Sequence, residues 1–186
     1  YLKRAKRHNA DNPRVSFLRA QLSIQQENFR DAKRHLLIMA QQDEQLVPEI
    51  IQSLRLCFTQ LGDIDGWRAW LNQAMTEYPS SSLLLAQAHE IGQQNDSEAA
   101  SYLTENLRQR PSLKGFNYLI DLHMQWASEN AKDSLQVLKG LTVALQRSKP
   151  HYRCRQCGFA GNSMHWQCPS CHQWGSTKPI YGLEGE

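Results

Sequence analysis

The sequence predicts an all-α fold, a tetratricopeptide-type α-solenoid with a small C-terminal cysteine module, and three observations predict it. Residues 1 to about 147 alternate amphipathic helix patterns with short breaks. Pro13, Pro48, Pro79, Pro111 and Pro150 follow one another at intervals of 35, 31, 32 and 39 residues, close to the roughly 34-residue period of tetratricopeptide repeats. Four of the five cysteines crowd into residues 154–171 as two Cys-x-x-Cys pairs, which is metal-ligand spacing and not the scatter of a disulfide framework.

Taken in order, residues 1–10 read as the second helix of a repeat whose first half is missing, and residues 13–42 as a helix pair. Val15, Leu18 and Leu22 recur at helical spacing on its first helix, and Ala32, Leu36 and Met39 on its second, with the turn at Glu27-Asn28. Ala20, Phe29 and Ala32 fit the small and aromatic positions that let paired helices approach. The next pair places Val47, Ile51, Leu54, Phe58 and Leu61 on one helix. Ile64, Trp67, Leu71, Ala74 and Tyr78 follow on the other, after Gly62-Asp63. Trp67 stands where an alanine is usual, so this pair should be splayed or shifted. A shorter pair carries Leu84, Ala88 and Ile91, then the cap at Asn95-Asp96, then Ala99, Leu103 and Leu107. The last pair carries Phe116, Ile120, His123 and Trp126, then Leu135, Leu138, Leu141 and Leu145. Composition changes at Lys149-Pro150, which divides the chain into a repeat array over 1–149 and a metal-binding domain and tail over 150–186.

With 40% apolar and 21% charged residues and a mean hydropathy of -0.62, the composition is that of a folded globular protein with a wet surface. A net charge of +3 is too mild to select a nucleic acid or an anionic membrane as partner. No run of about 18 apolar residues crosses a bilayer, and no signal peptide is recognisable. The chain opens on Tyr1 inside a helical pattern, from which we expect an N-terminal segment, such as a membrane anchor, to precede it.

Cys154-Arg155-Gln156-Cys157-Gly158 and Cys168-Pro169-Ser170-Cys171-His172 form two knuckles ten residues apart. Each brings two thiolates to one side of a tight turn, and two facing knuckles complete a tetrahedron with metal–sulfur distances of about 2.3 Å. Cys154, Cys157, Cys168 and Cys171 are therefore the expected ligands of one ion, zinc or iron. A closed four-thiolate site leaves no position for water or substrate, so it is structural or, with iron, capable of one-electron exchange. Gly158 suits the positive φ that follows a knuckle, and His172 takes that place in the second. Phe159, Trp166, Trp174 and Tyr181 are more aromatic mass than so small a ribbon needs, so some of them should dock on the last helix pair. The tail from Tyr181 to Glu186 is expected to be mobile or a contact strip.

The remaining candidates read as structural. Cys57 lies alone on an apolar helix face as a buried small hydrophobe. His151, His165 and His172 flank a centre that four thiolates already satisfy. His123 falls on a buried stripe, and Trp67, Trp70 and Trp126 read as packing, with a peptide pocket as the alternative. The basic run Lys3-Arg4-Ala5-Lys6-Arg7-His8 reads as a solvated face for an acidic partner or lipid head groups. It has no interleaved stacking aromatics, so no nucleic acid is expected. No paired carboxylates, Ser-His-Asp set or phosphate-cradling glycine loop stands out, which argues against an enzyme with a catalytic or cofactor-binding site.

The C-terminal segment, Tyr152-Arg153-Cys154 to Phe159, Trp166-Gln167-Cys168-Pro169-Ser170-Cys171, Trp174 and Lys178-Pro179-Ile180, resembles the rubredoxin-like tail of the lipopolysaccharide assembly protein B family, in which it follows tetratricopeptide repeats. The resemblance implies a single-pass anchor in the bacterial inner membrane and a cytoplasmic-face adaptor. It further implies a partnership with the membrane-bound FtsH protease in degrading the deacetylase that commits precursor to lipid A, and thus regulation of lipopolysaccharide biosynthesis. It carries over the metal ligands Cys154, Cys157, Cys168 and Cys171, and no partner-binding residue. An iron-dependent electron carrier and a nucleic-acid-binding zinc ribbon are the alternatives, and a homo-oligomer is compatible with the array.

Overall fold

In the computed structural model, which describes residues 11–185, the chain divides into two compact units, Tyr1–Tyr78 and Pro79–Glu186. The expected half-repeat and its basic run at residues 1–10 lie outside the described residues.

The first unit holds α1 (Pro13–Gln25), α2 (Phe29–Gln42), α3 (Val47–Gln60) and α4 (Ile64–Glu77), with a 3-10 turn at Glu44–Leu46 between α2 and α3. The reversals within its two helix pairs are built alike. Glu27 has φ 58° and Gly62 has φ 68°, and each is followed by a residue that caps the next helix. Asn28 Oδ1 accepts from the Asp31 N–H at 3.2 Å, and Asp63 Oδ1 from the Gly66 N–H at 3.1 Å. The two turns stand 35 residues apart, so the repeat legible in the prolines is also a repeat of backbone geometry.

Ala20 and Ala32 are fully buried, and their lack of bulk lets α1 and α2 run closely side by side. The expected α1 row of Val15, Leu18 and Leu22 is not the buried one. Ser16 and Ala20 face the core while Leu22 is 47% exposed, because small residues four apart permit a closer approach than the aliphatic row would. Ser16 Oγ donates to Gln42 Oε1 at 2.8 Å across this contact. In the second pair Val47, Ile51, Leu54 and Phe58 are buried with Trp67, Leu71 and Ala74. The Trp67 indole wedges in 6.0 Å from the Phe58 ring, and α3 and α4 approach one another over a shorter stretch than α1 and α2, as an indole in an alanine's place requires.

The second unit holds α5 (Ser81–Gly92), α6 (Asp96–Gln109), α7 (Leu113–Trp126) and α8 (Glu129–Arg147), with Ser80, Asn95 and Ser112 capping the first three through their side chains. Leu84, Ala88, Ala99, Leu103, Leu107 and Ile120 form its core. A Cβ placed on Gly115 would meet Leu107 Cδ2 at 2.5 Å, so glycine is what allows α6 and α7 to close.

Here the helical period misleads. His123 is exposed and Trp126 is 52% exposed, against the expected buried stripe, because α7 packs through Leu113 and Leu122 beside the expected Ile120. None of the residues of α8 is buried. The helix is held to α7 by polar groups: Asn117 Nδ2 donates to Gln146 Oε1 at 2.9 Å, Thr142 Oγ1 donates to Asn117 Oδ1, and Lys139 pairs with Asp121. The leucine row of α8 lies on the opposite face.

After α8 a three-stranded antiparallel sheet forms from β1 (Tyr152–Cys154), β2 (Ala160–Gly161) and β3 (Thr177–Pro179), in the order β2-β1-β3. Arg153 pairs with Ala160 on one side and Lys178 on the other. A 3-10 turn at Gly182–Glu184 ends the described chain. Among the described residues no helix is long and apolar enough to cross a membrane.

Candidate metal centre

The two knuckles are copies of one backbone motif. In the first, the Gly158 N–H donates to the Cys154 carbonyl at 3.0 Å and the Cys154 N–H to the Phe159 carbonyl at 2.7 Å. In the second, the His172 N–H donates to the Cys168 carbonyl at 2.9 Å and the Cys168 N–H to the Gln173 carbonyl at 3.0 Å. Both turns need a left-handed residue, Gly158 at φ 78° and His172 at φ 58°. The second costs about 1–2 kcal/mol in a residue with a Cβ, a cost the surrounding geometry must offset. The knuckles are tied together by the Arg155 N–H donating to the Ser176 carbonyl at 2.8 Å and by Cys154 standing opposite Thr177 in the sheet.

All four sulfurs lie within 4.8 Å of one another. Cys154 Sγ is 3.7 Å from Cys171 Sγ, and Cys157 Sγ is 3.7 Å from Cys168 Sγ. Disulfide bonds of about 2.05 Å are absent from this cluster, whereas a tetrahedron with metal–sulfur bonds of about 2.3 Å has edges of about 3.8 Å. The donor set therefore fits one tetrahedrally bound ion. Cys154 and Cys168 are buried, Cys171 is half-buried and Cys157 is exposed.

The electrostatics favour a cation among the four sulfurs. The hydrogen bond between Cys154 Sγ and the Ser176 hydroxyl, 3.2 Å apart, outweighs desolvation and, aided by the backbone N–H groups of Cys157 and Gln156, lowers the Cys154 thiol to about 6. The Phe159 N–H lowers Cys157. At Cys171 the Gln173 N–H pulls downward, but desolvation and the three neighbouring sulfurs outweigh it and push the thiol up to about 12. Four sulfurs this close cannot all ionise unless a cation compensates them, and N–H groups aimed at thiolates stabilise such centres.

Cys154, Cys157, Cys168 and Cys171 form the only such group among the described residues. Cys57 is fully buried in α3, where desolvation raises its thiol. His165 sits edge-on to Phe159 at 6.3 Å, and His151 joins the sheet through its backbone. Arg153 reaches Glu184 at 3.7 Å, tying the tail to β1. Of the four aromatics expected to include docking residues, Trp174 is 56% and Tyr181 37% exposed, while Phe159 and Trp166 are half-buried. The glycine-containing tail comes alongside the α6–α7 loop, where a Cβ on Gly182 would be 3.7 Å from the Pro111 carbonyl. Nothing in the cysteine spacing marked Ser176 or Gln173, since their contributions come from tertiary position and from the backbone.

Residues 152–179 match a family model described as a rubredoxin metal binding domain. The chain is 36% identical to lipopolysaccharide assembly protein B of Escherichia coli K12 over 186 residues, which is 99% of this chain and 48% of that protein. It is 28% identical to the protein of that name from Haemophilus influenzae over 173 residues, 92% of this chain and 44% of the other. The chain thus spans about half the length of the curated relatives it matches. With a helical body leading into four convergent thiols inside the matched segment, the chain is a homologue of the part of lipopolysaccharide assembly protein B that it matches.

Proposed function

We propose that the chain is the helical and metal-binding part of a non-enzymatic adaptor in lipopolysaccharide assembly. In this reading residues 1–149 carry the protein-binding surfaces, and residues 150–186 form a ribbon in which Cys154, Cys157, Cys168 and Cys171 hold one zinc or iron ion. The adaptor is anchored at the bacterial inner membrane on its cytoplasmic side. It brings the lipid A-committing deacetylase to the FtsH protease and so limits lipopolysaccharide synthesis. An adaptor of this kind acts through local concentration, which supplies about 10²-fold or more in effective affinity without catalytic groups. The observation that carries the reading is the convergence of the four sulfurs within 4.8 Å in a chain 36% identical over 99% of its length to a protein named for lipopolysaccharide assembly.

The test is complementation. In cells whose own adaptor gene is deleted, a full-length copy built from this chain should restore rapid turnover of the deacetylase, and the Cys154→Ser and Cys168→Ser copies should leave it long-lived. Deacetylase half-lives that are the same with and without the adaptor would overturn the reading. A second reading rests on the exposure of Cys157, which gives an iron centre an edge open to a redox partner. Elemental analysis of anaerobically purified protein distinguishes the two, since a colourless zinc protein eliminates electron transfer.

A further inference from the structure

The outer face of α8 is the least expected surface of the molecule. The last helix of a repeat array ordinarily turns a polar face to water. Here Val137 and Leu141 are each 65% exposed, Leu138 47% and Leu145 49%, while the polar residues Lys139, Thr142 and Gln146 bind the rest of the unit. The row presents roughly a few hundred Å² of apolar surface, the size at which exposed patches mark contact sites.

We infer that this face is a homotypic interface, closed by α8 of a second copy of the chain running antiparallel across a two-fold axis at Leu141. Three observations select that occupant. The first is that the apolar positions are palindromic about Leu141. Val137 and Leu138 lie four and three residues before it, Ala144 and Leu145 three and four after, and Ser134 and Ser148 seven to either side. On a helix of 3.6 residues per turn these positions share one face. Antiparallel pairing then sets Leu141 against its own counterpart, Leu138 against Ala144 of the second copy, and Val137 against Leu145 of the second copy. The small serines permit close approach at both ends.

The second is charge. Asp133 and Arg147 are exposed on one flank of the row, at opposite ends. Antiparallel copies place the acid of one beside the base of the other, whereas parallel copies would set like against like. The third is that nothing flanking the row favours a lipid surface. Lys132 pairs with Glu129 and Lys139 with Asp121, which leaves Arg147 at one end of the row in place of the continuous basic fringe that interfacial helices carry. An isologous contact of this size lies at the small end of stable interfaces, so the association is expected to be reversible.

Sedimentation velocity on the chain across about 1 to 100 μM tests the assignment. The wild-type chain dimerises reversibly. Leu141→Glu and Leu141→Lys each weaken association by about thirtyfold or more, as loss of a central interface residue does. Mixing the two restores a dimer, because position 141 meets itself. Both variants keep wild-type helicity and melting temperature, since the side chain they replace is largely in solvent. A wild-type chain that stays monomeric throughout overturns the inference, as does a dimer that survives both substitutions or a mixture that fails to reassemble. It is also overturned if the monomeric wild-type chain binds phosphatidylglycerol vesicles and Leu141→Glu does not, for the row is then a lipid contact.

Discussion

Cys154 Sγ lies 3.7 Å from Cys171 Sγ although the two residues are 17 apart in sequence. A strand end, two left-handed turns and the Ser176 hydroxyl hold them there, and none of these alone would keep two ionisable sulfurs in contact. A ribbon of this size has little apolar core, so the ion supplies much of its folding free energy, about 10–16 kcal/mol by analogy with zinc-finger peptides. Strong chelation at neutral pH is expected to free four thiols for titration and to change the emission of Trp166 and Trp174. Most of the far-ultraviolet helical signal should persist, because α1–α8 do not contain the ligands. Cys157→Ser should have the same effect without chelator.

The pair formed by Lys33 on α2 and Asp63 at the start of α4 gives the first unit a pH dependence of defined sign. The hydrogen bond from Lys33 Nζ, 3.0 Å from Asp63 Oδ2, holds the Asp63 carboxyl below its ordinary value of 3.8. A carboxyl whose folded value is depressed contributes stability above the ordinary value and loses it as pH falls through the folded one. Asp63→Asn keeps the helix cap but not the charge. Its melting temperature should fall below that of the wild-type chain at about pH 5 to 7 and converge with it well below pH 3.8. A difference that stays constant across the range would show that the ion pair adds nothing.

How far the fold could be read in advance depended on what fixed each element. The turn at Glu27-Asn28 and the one at Gly62-Asp63 were legible because a left-handed residue and a capping side chain are local requirements. The cysteine knuckles were legible because two thiolates on one turn impose a spacing. The packing of α8 was not. Leu138, Leu141 and Leu145 recur at the period of a buried stripe, yet Asn117 and Asp121 of α7 offer a polar seam that binds the other face. Periodicity shows that a helix has two faces; the partner decides which of them is covered. Strands of two or three residues are too short to display an alternation, and Ser176 reaches its sulfur only through the fold.

Gly115 tests the closeness of α6 and α7. Its N–H is capped by Ser112 Oγ at 3.2 Å, and a Cβ there would sit 2.5 Å from Leu107 Cδ2, whose side chain is itself buried. Alanine improves helix propensity by about 1 kcal/mol but overpacks the contact by about 1–3 kcal/mol. Gly115→Ala is expected to lower stability by about 1 kcal/mol in urea denaturation. Gly115→Ala combined with Leu107→Ala, which empties the site that the new methyl would strike, should show a loss smaller than the sum of the two single losses.

Trp67 sets the spacing of α3 and α4, and its two properties can be separated. The ring is 1% exposed, packed between Phe58 at 6.0 Å and Trp70 at 5.4 Å, while its buried Nε1 has no hydrogen-bond acceptor among the described residues. Trp67→Ala removes the wedge and should cost about 3–5 kcal/mol. Trp67→Phe loses part of the volume but also the unsatisfied donor, whose burial costs about 1–3 kcal/mol, so its penalty should be much the smaller of the two. Denaturant unfolding of both variants compares them directly. Equal losses would show that the indole N–H, and not the bulk of the ring, holds the two helices at their distance.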